Sequence, residues 1–215
     1  MGTFVISLDD NAIELGISIS DKEDFTNQAT RLLVNPVNNA MPVTFADIDF
    51  GTAIATDGDM DPTGYNNFIA YTFYLRNEGN VSVDVSLDLA TIKVTNGVDS
   101  AIRVAIVEDG IVDSDGNITM TDGQLYMKLE ENMDQKTYSV LTSVQKEFYD
   151  KFKIHQFESD RFGDYVLENF NPGDVKKFTL LIWLEGWDDD CNDTIKNGQL
   201  KMDLTFKIVG MSEGD

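Results

Sequence analysis

Val81-Ser82-Val83-Asp84-Val85-Ser86-Leu87-Asp88-Leu89 alternates apolar and polar residues without a break. A side-chain period of two puts the odd positions on one face and the even positions on the other, which describes a half-buried β-strand and not a helix. The alternation slips at Ala90-Thr91, after which Ile92 and Val94 become the apolar set. A one-residue slip inside a strand predicts a β-bulge. Just upstream, Phe68-Ile69-Ala70-Tyr71-Thr72-Phe73-Tyr74-Leu75 is aromatic and β-favouring. Asn77-Glu78-Gly79-Asn80 lies between the two runs and predicts a hairpin loop, with Gly79 available for positive φ.

The same signature recurs outward from this stretch. Leu200, Met202, Leu204, Phe206 and Ile208 alternate with polar residues and predict a strand with one wet face. Residues 178–184 are apolar nearly throughout, as a central strand is, and residues 101–107 form another strand turned by Asp109-Gly110. Asp115-Gly116-Asn117 and Asp122-Gly123 are further turns, and Ile13, Leu15, Ile17 and Ile19 alternate near the start. Ser20-Asp21-Lys22-Glu23 fits a capping box opening a short helix, or a polar loop. Between 137 and 153, Tyr138, Leu141, Val144, Phe148 and Phe152 recur at steps of three and four, which predicts one amphipathic helix. The expected fold is all-β: a single domain over 1–215, an antiparallel β-sandwich of jelly-roll type, with an insertion around 109–173 that carries the helix at 137–153.

The chain has 215 residues, with 38 Asp+Glu against 16 Lys+Arg and a formal net charge of −22. Such a surface repels phosphate backbones and anionic lipid heads, so nucleic acid is excluded as a partner. Hydrophobic residues make up 42% of the chain, enough to form a core rather than a disordered coil. No window approaches the ~18 consecutive apolar residues of a membrane span. The start, Met1-Gly2-Thr3-Phe4, shows no signal peptide. With Cys191 as the one cysteine, no internal disulfide can form.

Three acidic clusters are candidate cation sites. Asp57, Asp59 and Asp61 sit at alternate positions, as calcium-loop carboxylates do, but Pro62 and Phe68 stand where an EF-hand needs Gly and Glu. Asp113-Ser114-Asp115-Gly116-Asn117 fails in the same way. Asp188, Asp190 and Asp193 follow a predicted core strand, and either converge on Ca²⁺ or solvate a loop. No motif requires a cofactor; Ca²⁺ is the ion that the charge favours. No catalytic residue can be nominated. His155 is the single His, so a two-His zinc protease site cannot be built, and acids flanking Cys191 raise rather than lower a thiol's pKa. Trp183 alternates inside an apolar strand and predicts core packing, while Trp187, beside Gly186 and the Asp run, predicts an exposed ring that can stack on a sugar.

Tyr71-Thr72-Phe73-Tyr74-Leu75-Arg76-Asn77-Glu78-Gly79 resembles the F-x-L-x-N-x-G segment of the TasA/camelysin family. Asn171-Pro172-Gly173-Asp174, leading into 178–184, resembles that family's P-G-D turn and core strand. Trp183-Leu184-Glu185-Gly186-Trp187-Asp188 and residues 198–208 are similar to the C-terminal half of uncharacterised surface proteins of Gram-positive bacteria that carry SipW-type signal peptides. The resemblance implies a secreted jelly-roll protein of the cell surface or extracellular matrix, self-associating or bound to other surface proteins. It also implies fibres built by passing an N-terminal strand to the next subunit. Phe4, Val5, Ile6 and Leu8, within Thr3-Phe4-Val5-Ile6-Ser7-Leu8, form a β-prone segment suited to that role, or to an ordinary first strand. The expected function is therefore non-enzymatic and structural, with an extracellular carbohydrate- or protein-binding module, Ca²⁺-dependent or not, as the alternative.

Overall fold

The computed structural model describes residues 3–128, 133–157 and 160–212. Along the chain run β1 (Phe4–Leu8), α1 (Asp10–Glu14), β2 (Ile17–Ser20), β3 (Gln28–Ala29), β4 (Arg31–Val34), α2 (Phe50–Ala55), β5 (Gly58–Asp59), β6 (Ile69–Asn77) and β7 (Ser82–Val94). Then follow β8 (Ile102–Glu108), β9 (Ile111–Val112), β10 (Ile118–Thr119), β11 (Asp122–Met127), α3 (Met133–Val140), α4 (Ser143–Tyr149), β12 (Lys153–Gln156), β13 (Arg161–Phe170), β14 (Val175–Leu184) and β15 (Leu200–Ser212). One large sheet has the order β13-β7-β15-β1-β4; the other has the order β12-β11-β8-β14-β6-β2-β3, with β5 also on β6; β9 and β10 form a separate two-stranded ribbon. Pairing is antiparallel except for β1 with β15 and β11 with β12, which are parallel. The chain is a β-sandwich.

Its two sheets differ in what covers them. Phe4, Ile6, Val85, Leu87, Leu204 and Phe206 of the first sheet meet Phe73, Leu75, Val104, Phe178 and Leu180 of the second in the main core. Each such side chain contributes about 1.5–3 kcal/mol by leaving water. The second sheet has another dry face. There Ala70, Ala105, Val107, Leu125, Leu181 and Trp183 lie under Phe45, Phe50, Leu141, Tyr149 and Phe152. This is why residues 104–107 of β8 and 178–184 of β14 read as nearly continuous apolar runs while β7 and β15 alternate: a strand covered on both faces has few wet positions. The helical segment is thus a third layer that closes the outer face of a sheet. Among the described residues, no helix is long and apolar enough to cross a membrane.

Several local expectations are corrected. The predicted hairpin at Asn77-Glu78-Gly79-Asn80 is a corner between sheets, since β6 pairs with β14 and β2, whereas β7 pairs with β13 and β15. Buried Asn77 makes the corner. Its Nδ2 donates to the carbonyls of Val81 and Phe170, and its Oδ1 accepts from the Gly79 amide. Gly79 serves close approach rather than positive φ, for a Cβ there would lie 2.1 Å from the Leu15 carbonyl oxygen. The single helix over 137–153 is two helices, α3 and α4. The first ends at Val140, and Thr142 caps the second in a reciprocal capping box with Gln145. Val144, expected on the apolar face, is 73% exposed.

The early alternation fails before Ile17, because Asp9 accepts from the Ala12 amide and starts α1 instead. Asp21-Lys22-Glu23, just after β2 ends at Ser20, is a loop in which the Lys22 amide donates to Ser20 Oγ. The bulge in β7 falls at Ile92: Met202 pairs with Thr91 and Lys201 with Lys93, so Ile92 is left exposed while Val94 packs against the core. The stretch 109–173 is more than a helical insertion, for it supplies β11 and β12 to one sheet and β13 to the other.

Candidate functional site

The amino-terminal strand is the candidate site. β1 lies between β15 and β4, with Phe4 opposite Met202 and Val34, and Ile6 opposite Leu204 and Leu32. Phe4, Ile6 and Leu8 enter the main core. Val5 points to the other face, opposite Asp203 and Leu33, and is buried there too. Main-chain bonds at both ends fix the strand: Met202 N donates to Thr3 O at 3.1 Å, and Asp9 N donates to Phe206 O at 3.0 Å. On the outer face, Ser7 Oγ and Thr205 Oγ1 stand 3.4 Å apart. All four nominated assembly residues are thus brought together in one slot, and β4, the strand on its far side, is an edge of only four residues.

The six nominated metal ligands are not brought together. Asp57 accepts from the Tyr74 hydroxyl at 2.6 Å. Asp59 accepts from Asn35 Nδ2 and from the Asp61 amide. Asp61 closes its own turn by accepting from the Thr63 and Asn66 amides, and hydrogen bonds from Thr63 and Asn66 hold its carboxyl below the usual range. Asp193 pairs with Lys196 at 2.8 Å, and that hydrogen bond and charge likewise hold it low. The Asp190 amide donates to Asp188 Oδ1. Among the described residues, no group of three or more His, Cys, Asp and Glu side chains is placed to hold a metal ion.

Asp188 is a structural residue, corrected from a loop ligand. Its Oδ2 lies 3.0 Å from Arg103 Nη2, and the two side chains are 0% and 3% exposed. Burial pushes its carboxyl pKa up, while the Arg103 charge pulls it back. Beside it, Glu185 is buried and accepts from Trp183 Nε1 at 3.0 Å, from the Phe45 amide and from the Trp187 amide. Burial raises Glu185 in the same way, against those hydrogen bonds and Arg103. Sequence reasoning passed over Arg103 and Glu185, although a charge inside or at the end of an apolar run is the available signal. Trp187, beyond them, is 45% exposed, as its context predicts.

The single cysteine and the single histidine are both part-buried. Cys191 is half-buried, and its thiol is pushed up to about 11 by burial and then by Asp188 and Glu185. The His155 ring stacks on Tyr126 at 4.9 Å, its Nε2 lies 2.5 Å from Gln124 Oε1, and burial lowers its pKa. Comparison with protein-family models finds no match for this chain. Comparison with curated proteins likewise finds none.

Proposed function

We propose that this chain is a non-enzymatic structural protein of a bacterial surface or extracellular matrix, polymerising by passing β1 to the neighbouring subunit. The carrying observation is the place of β1: the first strand of the chain, five residues long, seated inside a sheet rather than at its edge. A strand exchanged between identical subunits remakes the same register with the same side chains, so free and assembled states differ little in contact energy. Subunit concentration and electrostatics then decide between them. The TasA/camelysin-like segments support the same reading.

A second reading, an extracellular module for carbohydrate or protein, rests on exposed Trp187 alone.

The charge gives the proposal a test. Subunits of net charge −22 repel one another, so polymer yield should rise with ionic strength and fall to nothing when residues 3–8 are deleted. Light scattering and negative-stain microscopy of both chains check this. Undiminished polymers from the truncated chain contradict strand donation, and polymers indifferent to salt contradict a charge-limited step.

A further inference from the structure

At the junction of β8 and β14, one lysine meets two carboxylates. Lys176 Nζ lies 2.6 Å from Glu108 Oε1 and 2.8 Å from Asp109 Oδ2. Glu108 is buried, and the Tyr165 hydroxyl donates to its other oxygen. Asp109 is held rigidly. Its amide donates to the Lys177 carbonyl, its Oδ1 accepts from the Lys177 amide at 3.1 Å, and its backbone lies in the left-handed region at φ +48°. Thr121 Oγ1 also donates to Asp109 Oδ2, at 3.4 Å.

We propose that Lys176 and Asp109 condense to an intramolecular amide, with Glu108 as the proton relay. Three elements of acyl transfer are in place: a nucleophilic nitrogen against a carboxyl, a backbone N–H on the oxygen that takes up negative charge, and a buried acid–base group touching the nucleophile. The Lys176 ammonium first passes one proton to Asp109 Oδ2, which lies 2.8 Å away, so that a neutral amine faces a neutral carboxylic acid. The amine adds to Asp109 Cγ, forming the C–N bond, while the Lys177 amide steadies the charge on Oδ1. Glu108, 2.6 Å from the nitrogen, takes the second proton and returns it to Oδ2, and the C–Oδ2 bond breaks to release water. Ammonium and carboxylate become amide and water, with no redox change and no outside reagent. Burial pulls the Lys176 amine down, but the hydrogen bonds to Asp109 and Glu108 outweigh it and keep the resting amine protonated, so the first step is proton transfer and not attack. Burial and the bond to Glu108 keep the Tyr165 hydroxyl protonated, fixing it as a donor that orients the relay. In a chain with one cysteine, such a bond supplies the covalent tie between strands that a disulfide otherwise would.

The test is the intact mass of the full chain, purified folded and then denatured, with peptide mapping. The expected mass lies one water below that of the sequence, with one fragment joining Asp109 to Lys176. Lys176→Met, Asp109→Ala and Glu108→Gln should each show the full mass of their own sequence. A native chain at full mass overturns the proposal whatever the variants do. A Lys176→Met chain that still lacks one water also overturns it, by placing the loss in ring closure at Asp109-Gly110. A Glu108→Gln chain that still carries the Lys176 linkage removes Glu108 from the reaction.

Discussion

Asp188→Ala should destabilise the fold by about 3–5 kcal/mol, because it leaves the buried Arg103 guanidinium with the Ile102 carbonyl and the longer-range charge of Glu185 but no carboxylate in contact. A solvated loop aspartate would cost a few tenths of a kcal/mol at most. Arg103 projects from β8 inside the second sheet, and Asp188 follows β14, so the pair ties the loop after one central strand to its neighbour. The expected penalty therefore comes from stranding a charge and not from losing an attraction of that size. An Arg103→Met/Asp188→Leu double variant separates the two, and should recover most of the loss, since apolar residues of similar volume replace buried ion pairs at little cost. Urea midpoints of the native chain and both variants decide it. A single variant with an unmoved midpoint would mean that Asp188 is solvated, and would return it to the candidate ligands.

The second large effect belongs to Trp183. Its ring is buried beneath Phe45 and Phe50, with centroids 6.2 and 6.4 Å away, both edge-on. Trp183→Ala should cost about 3–5 kcal/mol, because the helical layer rests on that ring and cannot collapse fully into the gap. Trp183→Phe should cost about 1–3 kcal/mol, since it keeps most of the packing but removes the Nε1 donor from buried Glu185. Thermal or denaturant melts give the order. A Phe variant as damaging as the Ala variant would assign the stability to the Glu185 hydrogen bond and not to the aromatic layer.

These two residues show what was legible in the sequence. Trp183 was read correctly as core, because its apolar neighbours in β14 are local. Asp188 was misplaced, because its partner Arg103 lies on a different strand and a run of aspartates looks solvated from sequence alone. The same divide runs through the fold. The alternation in β7 and β15 was legible because each sets polar residues on the face away from the main core, while the sheet membership of β6 and β7 was not. A hairpin and a corner share turn residues and differ only in where the Asn77 donors go, and those acceptors are remote. The break between α3 and α4 was legible and missed: Thr142-Ser143-Val144-Gln145 has capping-box spacing inside a run read for its apolar period alone. The β1 slot was half legible. The apolar segment is in the sequence, but its parallel partner β15 stands at the other end of the chain.

Ser7 and Thr205 make the claim of strand exchange directly measurable, since their side chains meet across β1 and β15 on the outer face. Two populations are needed, both carrying Cys191→Ser, one with Ser7→Cys and the other with Thr205→Cys. Mixed under assembling conditions, oxidised and run without reductant, they should yield covalent heterodimers, because the donated β1 of one subunit lies along β15 of the next. Polymers that form normally but give no such heterodimer would show that each β1 stays in its own sheet, and would contradict the account.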